Sequence, residues 1–165
     1  MTMKPPPGFS APAGLFDRAT WTPLLELSTR EVFEIMLSTR LSLVERRGEN
    51  KGDVTALVGL AGSLCGVLSI RCSSPAARAI AGRMLGVPPA EVGKESWDAL
   101  GEIANMIAGN FKGKLSGIGN HCMLSVPTII LGSDYEMHSL MASNEIEIVY
   151  KFEKKPLWIR LELHE

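Results

Sequence analysis

The sequence predicts an α+β fold, an antiparallel β-sheet with helices packed against it, from three observations. Segments 145–153 and 157–163 alternate apolar and polar residues, as strands with one buried face do. The uncharged apolar stretch 54–70 divides at a Gly-Ser pair into two strand-sized halves. Three other segments carry helical apolar spacing or helix start signals. We therefore expect two long helices and a shorter one packed against the sheet.

The composition is that of one compact domain. The 165 residues are 45% hydrophobic and 21% charged. Seventeen basic and 18 acidic residues leave a formal net charge of -1, so we expect no binding of nucleic acid, which requires a clustered positive field. The three cysteines lack paired CxxC spacing and the three histidines are scattered, which predicts reduced thiols in a cytoplasmic protein and no metal site.

The amino-terminal residues differ in composition from the rest of the chain. Residues 1–20 contain a run of three prolines and lack the apolar core of a signal peptide. We interpret 1–20 as a flexible proline-rich leader and 21–165 as a single domain. No low-complexity run interrupts the second range.

The apolar stretch 54–70 has two interpretations. Its 17 uncharged residues reach the lower limit of a membrane-spanning helix, and Gly62-x-x-x-Gly66 resembles a helix-dimer motif. Glycine, serine and threonine dilute its apolar character, however. We therefore favour a buried β-hairpin over a membrane helix and expect no association with a membrane.

Three helices are expected, at 24–43, 76–85 and 96–114. The first has an apolar face, the second follows a Ser-Ser-Pro sequence and ends before Gly86, and the third begins at a serine. Serine and threonine side chains accept hydrogen bonds from the free N–H groups at helix starts. The expected N-caps are Ser28 or Thr29, Ser73 or Ser74, and Ser96.

The remaining strands are shorter or end in clear turns. Segment 42–47 is expected to form a short strand before turn residues at 48–52. Segment 123–131 is predicted to contain a strand that Pro127 interrupts, because proline is confined to sheet edges and bends. A turn at 154–156 joins the two regular strands at the carboxyl end. We expect an exposed strand edge there, which favours pairing with another chain.

A polar stripe is predicted along the third helix. Projection at about 100° per residue places five residues on one arc, opposite the apolar residues that pack on the sheet. The stripe consists of Asp98, Glu102, Asn105, Gly109 and Lys112. Glycine costs up to about 1 kcal/mol relative to alanine in an exposed helix, so we interpret the glycine as room for another protein beside Asn105. A plain solvated helix face is the alternative, since Glu-x-x-Asn alone is a weak motif.

Asp98, Glu102, Asn105 and Pro127 resemble the D/S-xxx-E-xx-N-x22-P signature of the CheC/CheX/FliY chemotaxis phosphatases. The surrounding sequence DALGEIANMIAGNFKGKL is similar to the helix of CheX-type members in particular, and the resemblance spans 24–163. Twenty-one residues separate Asn105 from Pro127, one fewer than in the signature. Asn110 lies on the apolar side of the helix and is expected to have a structural role instead.

The resemblance also bears on the number of sites and on assembly. CheC and FliY-type members carry two such motifs, whereas the first helix here has Glu31 and Glu34 at the corresponding spacing and no amide. This implies one active site per chain, as in CheX-like members. CheX-like proteins form homodimers through their sheets, so a homodimer is implied here. The alternative is a monomer whose sheet edge is protected by charged residues.

The activity implied by the resemblance is hydrolysis of the aspartyl phosphate on a CheY-like response-regulator receiver domain. Asn105 would orient the attacking water, because a neutral amide can accept one hydrogen bond from the water and donate another. Glu102 would pair with a lysine of the receiver. The residues predicted to contact the partner are Asp98, Gly109, Lys112 and Pro127. Two of them have an alternative explanation: Asp98 could simply favour the helix through its dipole, and Pro127 could have no role beyond shaping a bend. The receiver would supply Mg²⁺, and no cofactor of the chain's own is expected.

Two other functions remain open from the sequence. A CheX-like domain could dock on response regulators without accelerating hydrolysis. A structural protein of the flagellar switch is the second alternative, because rotor-switch proteins share this domain family. The paired acid and amide in the stripe favour the enzyme over the structural protein.

Overall fold

The computed structural model describes residues 17–45, 48–115, 117, 119–138 and 143–164. These residues form one antiparallel sheet with helices packed on one face, which confirms the predicted α+β class. The helices are α1 (Arg18–Leu37), α2 (Ser74–Leu85) and α3 (Glu95–Gly113). The strands are β1 (Ser42–Leu43), β2 (Val54–Gly62), β3 (Cys65–Cys72), β4 (Cys122–Leu124), β5 (Thr128–Leu131), β6 (Ser143–Phe152) and β7 (Lys155–His164).

The sheet runs in the order β1-β6-β7-β3-β2-β4, and β5 pairs with β2 on the same side as β4. The predicted hairpin of the apolar stretch is confirmed, with its turn at Gly62, where φ is 118°. A side chain at Gly62 would overlap the carbonyl of His121, so glycine is required there. Among the described helices, none is long and apolar enough to cross a membrane.

One face of the sheet and the inner faces of the helices make a single apolar core. Alternate strand residues point into it, as in a sheet with one buried face. Aromatic rings link α1 to α3 and to the sheet: Trp21 and Phe111 of α3 have ring centroids 5.9 Å apart, and Phe33 and Phe152 of β6 have centroids 5.7 Å apart. These contacts fix α1 and α3 side by side on the sheet.

The start of α1 differs from the prediction. The helix is capped by Asp17, whose carboxylate accepts a hydrogen bond from the Ala19 N–H at 3.0 Å, and it includes Pro23. Ser28 and Thr29, the expected caps, are buried in mid-helix and donate their hydroxyl protons to main-chain carbonyls one turn earlier. The cap prediction was therefore wrong, because burial of apolar residues before and after Pro23 extends the helix through it. Residues 18–20 thus belong to a helix, while the rest of the predicted leader, 1–16, lies outside the described residues.

The cap of α3 was also predicted incorrectly, whereas that of α2 is confirmed. Ser96 is buried in the first turn of α3, and no side chain caps the helix at Lys94. The Glu95 carboxylate instead accepts the Gly93 N–H at 2.9 Å; hydrogen bonds from its own backbone and from Gly93 hold the pKa of Glu95 below its usual range. In α2 the Ser73 hydroxyl oxygen accepts the N–H three residues later at 3.2 Å, as expected.

The edges of the sheet also depart from the expectation. β7 lies inside the sheet, between β6 and β3, so only β6 of the last two strands is near an edge. There β1, which is described only as Ser42–Leu43 within the predicted 42–47, pairs with it. The segment interrupted by Pro127 is the opposite edge, formed by β4 and β5, which confirms the predicted interruption.

Candidate functional site

The polar stripe predicted on α3 is present on the side of the helix that faces away from the core. Asp98 and Glu102 are exposed, and Asn105, Gly109 and Lys112 are half-buried. The opposite side of α3 is fully buried through Leu100, Ile103, Ile107 and Phe111. The helix therefore presents its acids, its amide and its lysine along one surface, as helical periodicity requires.

Glu102 and Asn105 of the stripe have side chains that are free to meet a partner, as does the exposed Asp98. Within the described parts of the chain, no hydrogen bond or ion pair engages the Glu102 carboxylate or the side-chain amide of Asn105. They are three residues apart, which makes them neighbours on a helix surface. An acid and an amide without internal partners can both bind groups of another molecule.

Asn110 has the structural role predicted for it. Its Nδ2 donates a hydrogen bond to Oε2 of Glu31 at 2.8 Å and to the carbonyl of Ser28 at 3.3 Å, both on α1. The same Glu31 carboxylate binds Nζ of Lys114 at 2.7 Å. The hydrogen bonds from Lys114 and Asn110 lower the pKa of Glu31. This network ties the carboxyl-terminal end of α3 to α1.

The edge strands β4 and β5 and the bend between them also contact α3, next to the stripe. Pro127 packs on Gly101, where an added Cβ would lie 3.2 Å from the Pro127 Cβ. Gly109 lies eight residues after Gly101 on the helix, and an added Cβ there would lie 3.9 Å from Cδ1 of Leu124. Lys112 Nζ donates to the carbonyl of Cys122 at 2.6 Å. The segment 122–127 therefore runs beside α3 and passes Glu102 and Asn105.

Two of the predicted partner contacts thus have internal partners. Pro127 lies beside the stripe, but its ring packs on Gly101, so it helps to hold α3 in position. Lys112 uses one of its three donors on the edge strand and keeps the others available. Gly109 has no comparably close internal neighbour. The structure thus brings the sequence-predicted residues together along one helix and its flanking segment.

Sequence reasoning missed the residues that support the stripe. Ser125 anchors the bend between β4 and β5: its N–H donates to the Gly59 carbonyl at 2.9 Å, and its Oγ accepts the Gly59 N–H at 2.8 Å. Gly101 admits Pro127 against the helix. The one signal in the sequence for this contact was Gly101 itself, a glycine on the buried side of the helix directly before Glu102. Its contact residue, Pro127, is 26 residues away in the sequence, so the contact could not be inferred from local spacing.

The candidate site lies apart from the cleft on the other face of the sheet. A cleft of about 310 Å³ lies on the face of the sheet opposite the helices, between Ser69, Arg71, Tyr135 and Arg160, and no stripe residue lines it. Among the described residues, no three histidine, cysteine, aspartate or glutamate side chains are grouped closely enough to hold a metal ion.

A comparison with protein families decides the relationship. The family model described as Chemotaxis phosphatase CheX matches residues 54–153, a range that contains the whole stripe and Pro127. The chain belongs to the CheX family. This membership confirms the resemblance inferred from the sequence of α3.

Individual CheX proteins agree with this assignment. The CheY-P phosphatase CheX of Thermotoga maritima is 29% identical over 87 residues, which cover 52% of this chain and 56% of that protein. The chain thus spans little more than half the length of this relative. The crystal structure of CheX from Vibrio vulnificus is 25% identical, with a TM-score of 0.76 over 90% of this chain and 99% of that chain.

A further solved structure is the CheX-CheY-BeF3-Mg²⁺ complex from Borrelia burgdorferi. Its matching chain is 22% identical and has a TM-score of 0.67 over 88% of this chain and 98% of that chain. At this identity the likeness shows the fold, which is therefore the CheX fold over nearly the whole described chain.

Proposed function

We propose that this CheX-family protein hydrolyses the aspartyl phosphate of a CheY-like receiver domain. The observation that carries the proposal is the pair of side chains, Glu102 and Asn105, that stand unengaged on a helix anchored on both sides. The proposal is supported by the Thermotoga relative, which is named a CheY-P phosphatase, and by the Borrelia structure, in which a CheX is bound to CheY.

Asn105 is proposed to orient the water that attacks phosphorus. A carboxamide oxygen can accept a hydrogen bond from the water while its NH₂ group donates one to a phosphoryl or main-chain oxygen. Hydrolysis of a phosphoryl group needs little covalent help from the protein, because positioning and charge stabilisation supply most of the acceleration. The partner receiver would provide Mg²⁺ and the phosphorylated aspartate, so the site on this chain needs no metal ligands.

Glu102 is proposed to position the helix on the receiver. A carboxylate placed near a phosphoryl group without a cation would be repelled by it. We therefore expect Glu102 to pair with a lysine of the receiver. This pairing would fix the position of α3 on the receiver and therefore the distance between the Asn105 amide and the phosphorus.

The other predicted residues are proposed to support this contact. Asp98 lies exposed one turn before Glu102 and can extend the acidic part of the surface. Lys112, fixed by the Cys122 carbonyl, places a positive charge at the other end. Pro127 acts through Gly101 by holding the helix in place.

The experiment that tests the proposal follows loss of phosphate from a phosphorylated, Mg²⁺-bound CheY-like receiver. A catalytic amount of the wild-type protein should shorten the phosphoryl half-life, and Asn105→Ala should not. Asn120→Ala, which removes an exposed asparagine outside the stripe, is the matched control and should behave as wild type. Unchanged decay with wild-type protein across several receivers would instead favour the docking module.

A further inference from the structure

Gly109 occupies the middle of the stripe without a backbone reason for being glycine. It lies one helical turn after Asn105 in α3, and its φ is not positive, unlike that of Gly86. Its surface is half-buried rather than enclosed. At such a position alanine is the more favourable helix residue.

Internal packing does not require the glycine either. A Cβ at Gly109 would meet only Cδ1 of Leu124, at 3.9 Å, which is an ordinary van der Waals distance. By contrast, a Cβ at Gly101 would lie 3.2 Å from Pro127, and one at Gly119 would overlap the Lys112 carbonyl. Those two glycines are explained by neighbours within the chain, whereas Gly109 is not.

The direction of helix side chains shows what the glycine leaves open. Each Cα–Cβ bond in an α-helix tilts toward the amino terminus, so a side chain at 109 would extend over the turn that holds residue 105. The missing side chain keeps free the space directly beside the Asn105 amide. A group of a partner can approach the amide through that space.

We infer that Gly109 keeps the approach to Asn105 open for the main chain of the partner. The inference rests on the proposed function and specifies it: the receiver segment next to the phosphorylated aspartate lies flat against α3 at Gly109. A side chain at this position would hold the partner away sterically while Glu102 and Asn105 stay unchanged. Phosphorus and the positioned water would then lose their alignment with the amide.

The test compares Gly109→Ala and Gly109→Met in the full chain. We expect both variants to fold, and Gly109→Ala to melt at the wild-type temperature or about 2–4 °C higher, since alanine favours the helix. The kcat/KM for hydrolysis of the phosphorylated receiver should nevertheless fall about tenfold for alanine and about a hundredfold for methionine. Greater stability together with lower activity distinguishes steric exclusion from damage to the fold.

Gly113→Ala is the matched control, because Gly113 ends the same helix and an added Cβ there meets nothing within 4 Å. It should leave kcat/KM unchanged. Binding to a receiver loaded with beryllofluoride and Mg²⁺ is measured in parallel. If wild-type protein binds but does not hydrolyse, the proposed function fails while weaker binding by Gly109→Met still supports the inference. Wild-type binding and hydrolysis by both Gly109 variants would overturn the inference, as would absence of binding by the wild-type protein.

Discussion

At the scale of single residues, Glu102 and Asn105 differ from Asn110 and Lys112 of α3 in being unengaged. Asn110 and Lys112 are held by α1 and by the edge strand, with donor–acceptor distances of 2.8 and 2.6 Å. A group that is already hydrogen-bonded loses that bond when it serves a partner. The free pair can therefore bind a partner without disturbing the domain.

Glu102→Gln tests the proposed charge pairing. We expect kcat/KM toward the phosphorylated receiver to fall about tenfold and its dependence on ionic strength to become weaker, because one attractive charge is lost from the interface. Steady-state rates at low and high salt measure both effects. Glu91→Gln, an exposed acid outside the stripe, serves as the control. An unchanged salt dependence in the Glu102 variant would contradict a charge-paired role.

The sequence predicted single residues correctly where local hydrogen bonding and backbone conformation determine the ends of a helix. Ser73 caps α2 and Gly86 ends it with φ of 71°, both as predicted. Ser28, Thr29 and Ser96 have the same capping chemistry and are not caps, because their hydroxyl-bearing positions lie in buried turns. Capping residues indicate where a helix can start, and burial decides whether it does.

At the scale of elements, α3 is placed by contacts from two directions. The Glu31–Asn110–Lys114 network joins it to α1, and Pro127, Leu124 and the Cys122 carbonyl join it to the edge strands. These contacts flank the turn that carries Glu102 and Asn105. A helix held in this way can present its side chains in a fixed geometry, which proximity-based catalysis needs.

Asn110→Ala should weaken the connection between α1 and α3. Loss of its hydrogen bonds is expected to lower the free energy of unfolding by about 1 kcal/mol. Denaturant unfolding monitored by circular dichroism gives this value, with Asn120→Ala as an exposed control. Equal stability of the Asn110 variant and wild type would show that the network does not support the helix.

Elements were predictable to different degrees. Both hairpins were predicted, because a Gly-Ser pair and a Lys-Lys-Pro sequence stand between strand-sized runs. The second turn was placed too late: it lies at Glu153 and Lys154, and the last two residues of the predicted turn 154–156 belong to β7. The amino-terminal start of α1 was not predicted, because Pro23 signals a break that the burial of its apolar neighbours, including the packing of Trp21 on Phe111, outweighs. Likewise, the close contact of Pro127 with Gly101 depends on tertiary structure.

At the scale of the whole molecule, the edges of the sheet determine how two copies could join. The β6 edge is partly covered, since Val44 N–H donates to the Val149 carbonyl at 2.9 Å and the Arg18 guanidinium donates to the carbonyl of Glu145. On the opposite edge, β4 and β5 have no strand on their outer side among the described residues. The homodimer therefore remains a prediction, and both edges of the sheet are candidates for it.

The predicted homodimer is tested by the mass in solution. Light scattering after gel filtration should give twice the chain mass of 17.9 kDa. Leu131→Pro, at an exposed position of β5, removes a main-chain donor from that edge and should reduce the mass to that of one chain if the edge mediates pairing. A wild-type mass of one chain at high protein concentration would exclude the dimer.

Asn105 is proposed to contribute to turnover and not to binding. This proposal is tested most directly by the single-turnover rate of dephosphorylation with the protein in saturating excess over a phosphorylated receiver. We expect Asn105→Ala to lower this rate constant about a hundredfold while affinity for the beryllofluoride-loaded receiver stays within about threefold of wild type. Equal rate constants for Asn105→Ala and wild type at saturation would contradict it.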